Sequence, residues 1–264
     1  MYLLKVDISF HWGFSVKKPF YSATQPCYRV PPPTSLLGAL ARGVQYLKRG
    51  SEVIVEQSAY YSSVKLLLET VPYTFFSFRD VNVEPTLGLP VTMDITRVLL
   101  APYLRAEHAA KPEYRFGIQP HGKVYAPCLK ATLGYLIKEI EEDYVDLNVL
   151  EKAAWCISSL GTKESLVAVH RVQLLKLKKL DRREVSTKFW FEKDLVENTL
   201  LGSYLIESLP LPSLEGYKIG IRDVFKQHKV FIVPLIEVKV SVNERALCLS
   251  DGEEVYVVPK EVVL

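Results

Sequence analysis

The sequence predicts an α+β protein, with a mixed domain over residues 1–194 and a small β-rich lobe over 195–264. Three observations predict it. Residues 2–10 alternate, with Leu4, Val6, Ile8 and Phe10 on one face, which is the two-residue period of a strand. The triplet Pro31-Pro32-Pro33 runs straight into an apolar stripe at helical spacing. The tail holds the runs KVFIVPLIEVKV, RALCL and EEVYVV, the last two joined by the hairpin-turn dipeptide Asp251-Gly252.

Composition bounds the answer. Hydrophobic residues make up 48% of the 264 and charged residues 24%, which excludes wholesale disorder. No stretch of roughly 18 residues lacks a charge, which excludes a chain built on membrane helices. Lys5 and Asp7 make the opening MYLLKVDISF read as folded strand and not as a secretory leader, so the expected location is the cytoplasm. Scarce Asn, Gln and Met beside plentiful Lys, Arg and Glu point towards a thermophile. Cys27, Cys128, Cys156 and Cys248 form no CxxC pair, and no two of the five histidines lie three or four apart. Metal-ligand spacing is absent, no cofactor is expected, and the cysteines read as small buried hydrophobes.

The elements follow in order. Residues 11–33 hold Pro19, Pro26 and the proline triplet, which lack the N–H a helix or sheet needs, so they form a loop. A helix begins after them, capped by Thr34 or Ser35. Leu37, Leu40, Val44 and Leu47 make its core stripe, and Ser35, Gly38, Arg42, Gln45 and Arg49 its outer one. Helix-terminal amides, a hydroxyl, a flat glycine and guanidinium groups suit a phosphate backbone. Residues 52–55 and 64–78 read as strands, the second interrupted at Pro72. Six prolines between Arg79 and Cys128 leave short strands and extended loops projecting from the main sheet. A second helix is expected over 129–144, on the stripe Leu129, Leu133, Leu136, Ile137, Ile140 and Tyr144. A third is expected over 146–160, starting at Asp146 and stopping at Gly161. Thr162, Lys163, Glu164 and Ser165 then turn into a strand through Leu166, Val167 and Val169.

Charge is uneven. The total is +3, yet from Arg171 to Trp190 seven cations (Arg171, Lys176, Lys178, Lys179, Arg182, Arg183, Lys188) face only Asp181 and Glu184. That segment carries +5 and leaves −2 elsewhere. The neighbouring Phe189-Trp190-Phe191 would stack unpaired bases if exposed, or fill a core if not. Nucleophile-elbow, Walker and dinucleotide-binding patterns are absent. The acids Glu139, Glu141, Glu142 and Asp143 spread over a solvated face and suggest no metal. Metal-free RNA cleavage would need a base and a cation near a 2′-hydroxyl, for which His11, beside Lys17 and Lys18, is the one histidine placed to serve.

PPPTSLLGALARG after a strand and a proline-bearing loop, with LGTKESLVAV after a later helix, resembles the Cas-five subunits of CRISPR effector complexes, members of the RAMP superfamily. The likeness is to the archaeal branch of type I-A complexes, and the order of elements fits most of the chain. The resemblance implies a ferredoxin-like (RRM-like) RAMP domain with a protruding β-hairpin thumb, here about residues 79–97. It implies a non-catalytic part in antiviral interference: holding the 5′ handle of the guide RNA (crRNA) and capping the Cas-seven filament of Cascade. Implied partners are that filament subunit, the large and small subunits and, through them, target DNA and the helicase-nuclease, with no membrane. Carried over residue by residue, handle contacts fall on Arg29, Pro33, Thr34, Ser35, Gly38 and Arg42. Gly161, Thr162, Lys163, Ser165 and Arg171 lie near the same RNA, and Arg79 and Arg97 at the base of the thumb. Two alternatives stand beside this reading. One is a metal-independent endoribonuclease processing the guide precursor, with His11, Lys18 and Tyr28 as its groups. The other is a protein-interaction module without RNA, which the aromatic content would suit.

Overall fold

The alternation of the first ten residues is realised as strand β1 (Tyr2–Phe10), the frame of a computed structural model that describes residues 1–18, 26–79, 92–102, 116–125, 129–138, 145–219 and 227–263. Over 92–102 and 116–125 the description is of the backbone alone. The other strands are β2 (Gly13–Phe14), β3 (Val53–Glu56), β4 (Ala59–Ser62), β5 (Tyr73–Arg79), β6 (Thr92–Pro102), β7 (Phe116–Tyr125), β8 (Lys130–Ile137) and β9 (Val167–Lys176). Helix α1 spans Pro33–Lys48 and α2 spans Leu147–Trp155. Four strands form an antiparallel sheet in the order β5-β8-β1-β9. In the chain they alternate with the helices as β1-α1-β5-β8-α2-β9. Leu4, Val6, Ile8 and Phe10 are all buried, and Tyr135 on the same face donates to the Leu36 carbonyl of α1 at 3.1 Å.

The expected helix over 129–144 is corrected. Residues 130–137 are β8, paired with β1 on one side and β5 on the other, and 139–144 lie outside the described residues. A central strand is covered on both faces, so nearly every position is apolar, and a short apolar run does not separate a two-residue from a 3.6-residue period. Pro72 divides the expected 64–78 strand: residues 63–67 form a 3-10 turn, and only Tyr73–Arg79 is strand. The third helix does start on its Asp146 cap, whose carboxylate accepts from the Val149 amide at 2.7 Å, but it ends at Trp155. The α1 cap is also corrected. Pro32 occupies it with no side-chain bond, because prolines at the entry already fix φ and remove the amide a hydroxyl would satisfy. Of the expected outer stripe, Gln45 is buried and Leu47 of the core stripe is partly exposed.

β6 and β7 pair antiparallel over 92–102 and 116–125, and β2 joins β7. Arg79 and the backbone of 92–97 are the described parts of the expected thumb, and 80–91 lie outside the described residues. The lobe contains β10 (Lys178–Leu180), β11 (Glu184–Thr187), β12 (Phe191–Glu192), β13 (Val196–Leu201), β14 (Tyr204–Pro210), β15 (His228–Pro234), β16 (Val238–Val242), β17 (Ala246–Ser250) and β18 (Val255–Pro259). Pairings β10–β17, β11–β16 and β12–β15 join strands on either side of residue 195. Phe189, Trp190 and Phe191 are fully buried, which settles them as core. The Trp190 amide donates to the Phe76 carbonyl at 3.0 Å and its indole to the Thr74 carbonyl at 2.7 Å, so the segment runs along the edge of β5. Cys27 and Cys248 are buried as expected, whereas Cys156 is half-buried and Cys128 lies outside the described residues. No helix among the described residues is long and apolar enough to cross a membrane.

Candidate nucleic-acid interface

The proline entry places the first turn of α1 against the body of the molecule and leaves its outer face open. Pro33 and Thr34 are buried, and the Thr34 carbonyl accepts from the buried Tyr217 hydroxyl at 3.1 Å. Ser35 and Gly38 are half-buried, and a Cβ built on Gly38 would meet nothing within 4 Å, so this turn is flat and unobstructed. Arg42 is exposed one turn further on, its Nε 3.9 Å from the equally exposed Glu52, an ion pair weak enough to yield to a phosphate. The helix continues to Arg49, a left-handed cap whose amide reaches the Gln45 and Tyr46 carbonyls.

The second motif is stitched to the first through residues 13–18. Gly161 adopts φ +104°, and a Cβ there would stand 2.7 Å from the Ser15 carbonyl oxygen. The Thr162 amide donates to that oxygen at 3.1 Å, and the Ser15 amide donates to Ser165 Oγ at 3.0 Å. The Trp12 indole donates to the Glu164 carbonyl. Ser165 is fully buried and shares its hydroxyl with Thr162, so it shapes the turn, whereas Lys163 points to solvent. Val16 in turn accepts from the Tyr28 amide at 2.9 Å, which carries the chain towards Arg29 and the proline entry.

Two expected contact residues, Arg29 and Arg79, have other occupations. Glu207 is buried on β14 and takes Lys18 Nζ and Arg29 Nε at 2.5 Å each, while Arg29 also donates to the Ile206 carbonyl. Glu207 was missed by sequence reasoning, although the inward phase Leu205, Glu207, Leu209 places a carboxylate where a cation must meet it. Arg79 forms a two-pronged pair with Glu254 at 2.8 and 3.0 Å and donates to Thr132 at 2.8 Å. Lys5 joins the same carboxylate at 2.6 Å. Burial raises the Glu254 carboxyl, but the bonds from Arg79 and Lys5 outweigh it and hold the group below its ordinary value. Arg171 is exposed on β9 in register with Asp7. Arg97 lies on β6 opposite Pro120. All seven cations of the Arg171–Lys188 run are exposed, and Leu177 and Val185 between them are buried.

The groups nominated for RNA cleavage are only partly brought together. Lys18 lies 5.2 Å from the Tyr28 ring, but Tyr28 is buried and its hydroxyl meets His228, 3.4 Å away. His11 is exposed at the end of β1, its amide bonded to Leu166. Among the described residues no group of three or more His, Cys, Asp or Glu could hold a metal ion.

No family model matches the chain. Curated proteins do. The CRISPR system aCascade subunit Cas5 1 of Saccharolobus solfataricus is 33% identical over 189 residues, 71% of this chain and 70% of that protein. The chain belongs to the Cas5 family. The CRISPR-associated protein Cas5 3 of the same organism is 32% identical over 71% of this chain and 70% of its own length, and Cas5 2 is 26% identical over 85% and 79%. The crystal structure of a CRISPR protein from Archaeoglobus fulgidus matches with a TM-score of 0.55 at 21% identity, covering 97% of this chain and 98% of that one. This last likeness concerns the fold, a mixed α/β architecture of mostly antiparallel sheets with two described helices.

Proposed function

We propose that this Cas5 protein is a non-catalytic subunit of a type I-A Cascade complex that holds the 5′ handle of the guide RNA and caps the Cas-seven filament. The observation that carries the reading is the open outer face of α1, where Ser35, the unobstructed Gly38 and the exposed Arg42 line up above a fixed helix N-terminus. A phosphate is met here by a hydroxyl and a replaceable cation, and a sugar–phosphate chain needs close approach. The Thr162–Lys163 turn, joined to this entry through Ser15, Val16 and Tyr28, supplies a further cation. Sequence choice is left to guide–target pairing, so no base-reading code is needed along the spacer. The chain order β1-α1-β5-β8-α2-β9, with sheet order β5-β8-β1-β9, supports assignment of a ferredoxin-like RAMP domain. The thumb, expected at about residues 79–97, would run into β6, which pairs with β7. On this reading the protein works in the cytoplasm beside the large and small subunits and meets target DNA through them.

The test is binding of the full chain, alone and with the filament subunit, to a labelled guide RNA and a handle-less control across a salt series. Handle-dependent binding is expected, and Arg42→Ala should lower the affinity and reduce the salt slope by about 1. Cleavage at a fixed repeat position that survives chelator would overturn the non-catalytic reading in favour of a metal-independent nuclease. Absence of binding with the filament subunit present would leave a protein-interaction module.

A further inference from the structure

The ion pairs at the proline entry hold more positive charge than they need. The Glu207 side chain on β14 is only 2% exposed, and its two oxygens are divided: Oε1 takes Lys18 Nζ and Oε2 takes Arg29 Nε, each at 2.5 Å. One cation neutralises one carboxylate, so two cations on Glu207 leave a surplus of one positive charge. Both cations reach solvent, Lys18 with 30% of its side chain exposed and Arg29 with 32%. The Arg29 guanidinium is also held from a second direction, since Nη2 donates to the Ile206 carbonyl at 2.5 Å. Its Nη1 makes no hydrogen bond among the described residues and is not among the enclosed polar atoms that lack one there. Two nitrogens of the guanidinium are thus fixed to the lobe, and the third is left for an incoming group.

We infer that Glu207 is a positioning residue of the guide-RNA site: it fixes Arg29 so that Nη1 receives a phosphate of the strand lying on α1. Place is the first ground. Arg29 leads through the buried Val30, Pro31 and Pro32 into α1 at Pro33, and β14 itself runs beside α1. Prolines hold φ fixed, so what sets Arg29 also sets its direction relative to the helix entry. Charge is the second. Neutralising Glu207 accounts for one cation and leaves the other unexplained, whereas an anion arriving at the surface uses the surplus. The third ground is preorganisation. The shared carboxylate holds the two cations side by side, Lys18 Nζ has further donors beside Arg29 Nη1, and a guanidinium held in advance loses less freedom when an anion binds. The inference rests on the guide-RNA reading above, and it gives the lobe a part in RNA binding through a residue that does not touch RNA.

The test follows the Arg29 Nε–H signal of the full-length protein by NMR while sodium pyrophosphate, sodium acetate at matched ionic strength and guide RNA are added in separate titrations. Saturable shifts with pyrophosphate and RNA, and none with acetate, are expected. Glu207→Gln should collapse the signal onto those of mobile arginines and weaken handle binding about tenfold, the loss of one charge-assisted bond. The sign is diagnostic, because removing a carboxylate should by charge alone tighten RNA binding. The handle-less control should therefore bind Glu207→Gln no more weakly than the unaltered protein. Arg29→Lys keeps the charge and a partner for Glu207 but lacks the second and third nitrogens, and the same tenfold loss is expected without loss of fold. Adding Glu207→Gln to Arg29→Gln should cost no further affinity, since the first acts through the second. Full handle affinity in Glu207→Gln or Arg29→Lys would overturn the inference, as would an equal loss for the handle-less control or a further loss in the double variant. An acetate shift as large as that with pyrophosphate would overturn it in favour of a partner protein's carboxylate. Failure of the unaltered protein to bind the handle, with the pyrophosphate shift retained, would remove the guide-RNA reading alone and leave Glu207 positioning a phosphate site.

Discussion

Arg29 and Arg42 are two surface-side guanidinium groups that the chain uses in opposite ways. Arg29 neutralises the buried Glu207, whereas Arg42 faces solvent with only a distant, exposed Glu52. Arg29→Ala leaves a buried carboxylate with Lys18 alone, and urea unfolding should show a loss of about 3 kcal/mol. Arg42→Ala should stay within about 0.5 kcal/mol of the unaltered protein in the same assay, because no buried group depends on it. Equal stability losses in the two variants would contradict this division of labour. Sequence spacing made the two look alike, since both sit near the proline entry. What separates them is an acid 178 residues further on for Arg29, and no local pattern reports such a pairing.

Where α1 crosses α2, the limiting atoms are backbone. A Cβ on Gly43 would lie 2.3 Å from the Ala153 carbonyl oxygen, so Gly43→Ala must push the helices apart. A cost of about 1–3 kcal/mol is expected from overpacking, measured as a lowered urea midpoint with unchanged slope. Gly38→Ala on the opposite face of the same helix meets no atom and should leave the midpoint unchanged or slightly raised, since alanine favours helix over glycine. Helix α1 was legible in the sequence because a proline entry and a one-sided apolar stripe agree about where it starts and which way it faces. β8 was not, because burial on both faces erases the polar half of the pattern. Its neighbour β1 shows the intermediate case. One face reads cleanly, while Lys5 on the other looks like a solvated residue until Glu254 and Asp251 are seen to cover it.

At the scale of the whole molecule, the lobe is held to the main sheet by charge as well as by aromatic packing. Arg79 and Lys5 from the sheet grip Glu254, and Lys5 also lies 3.5 Å from Asp251. Burial raises the Asp251 carboxyl, but the amides of Glu253 and Glu254, the Tyr256 hydroxyl and Lys5 together draw it below its ordinary value. Both carboxyls therefore bind protons less readily folded than unfolded. Their contribution is present above the ordinary carboxylate range and is lost as pH falls through their lowered folded values. Unfolding free energy should decline steeply on that acid limb, and Glu254→Gln should flatten it while costing about 3 kcal/mol at neutral pH. A limb of the same steepness in the variant would show that other groups carry the acid sensitivity. Trp190 has a different consequence. By bonding to the Thr74 and Phe76 carbonyls it covers part of one margin of the four-stranded sheet, and among the described residues β9 at the opposite margin pairs on one side only. Among the described residues the sheet thus has a valence of one: β9 keeps an unpaired edge, while Trp190 occupies carbonyls along β5.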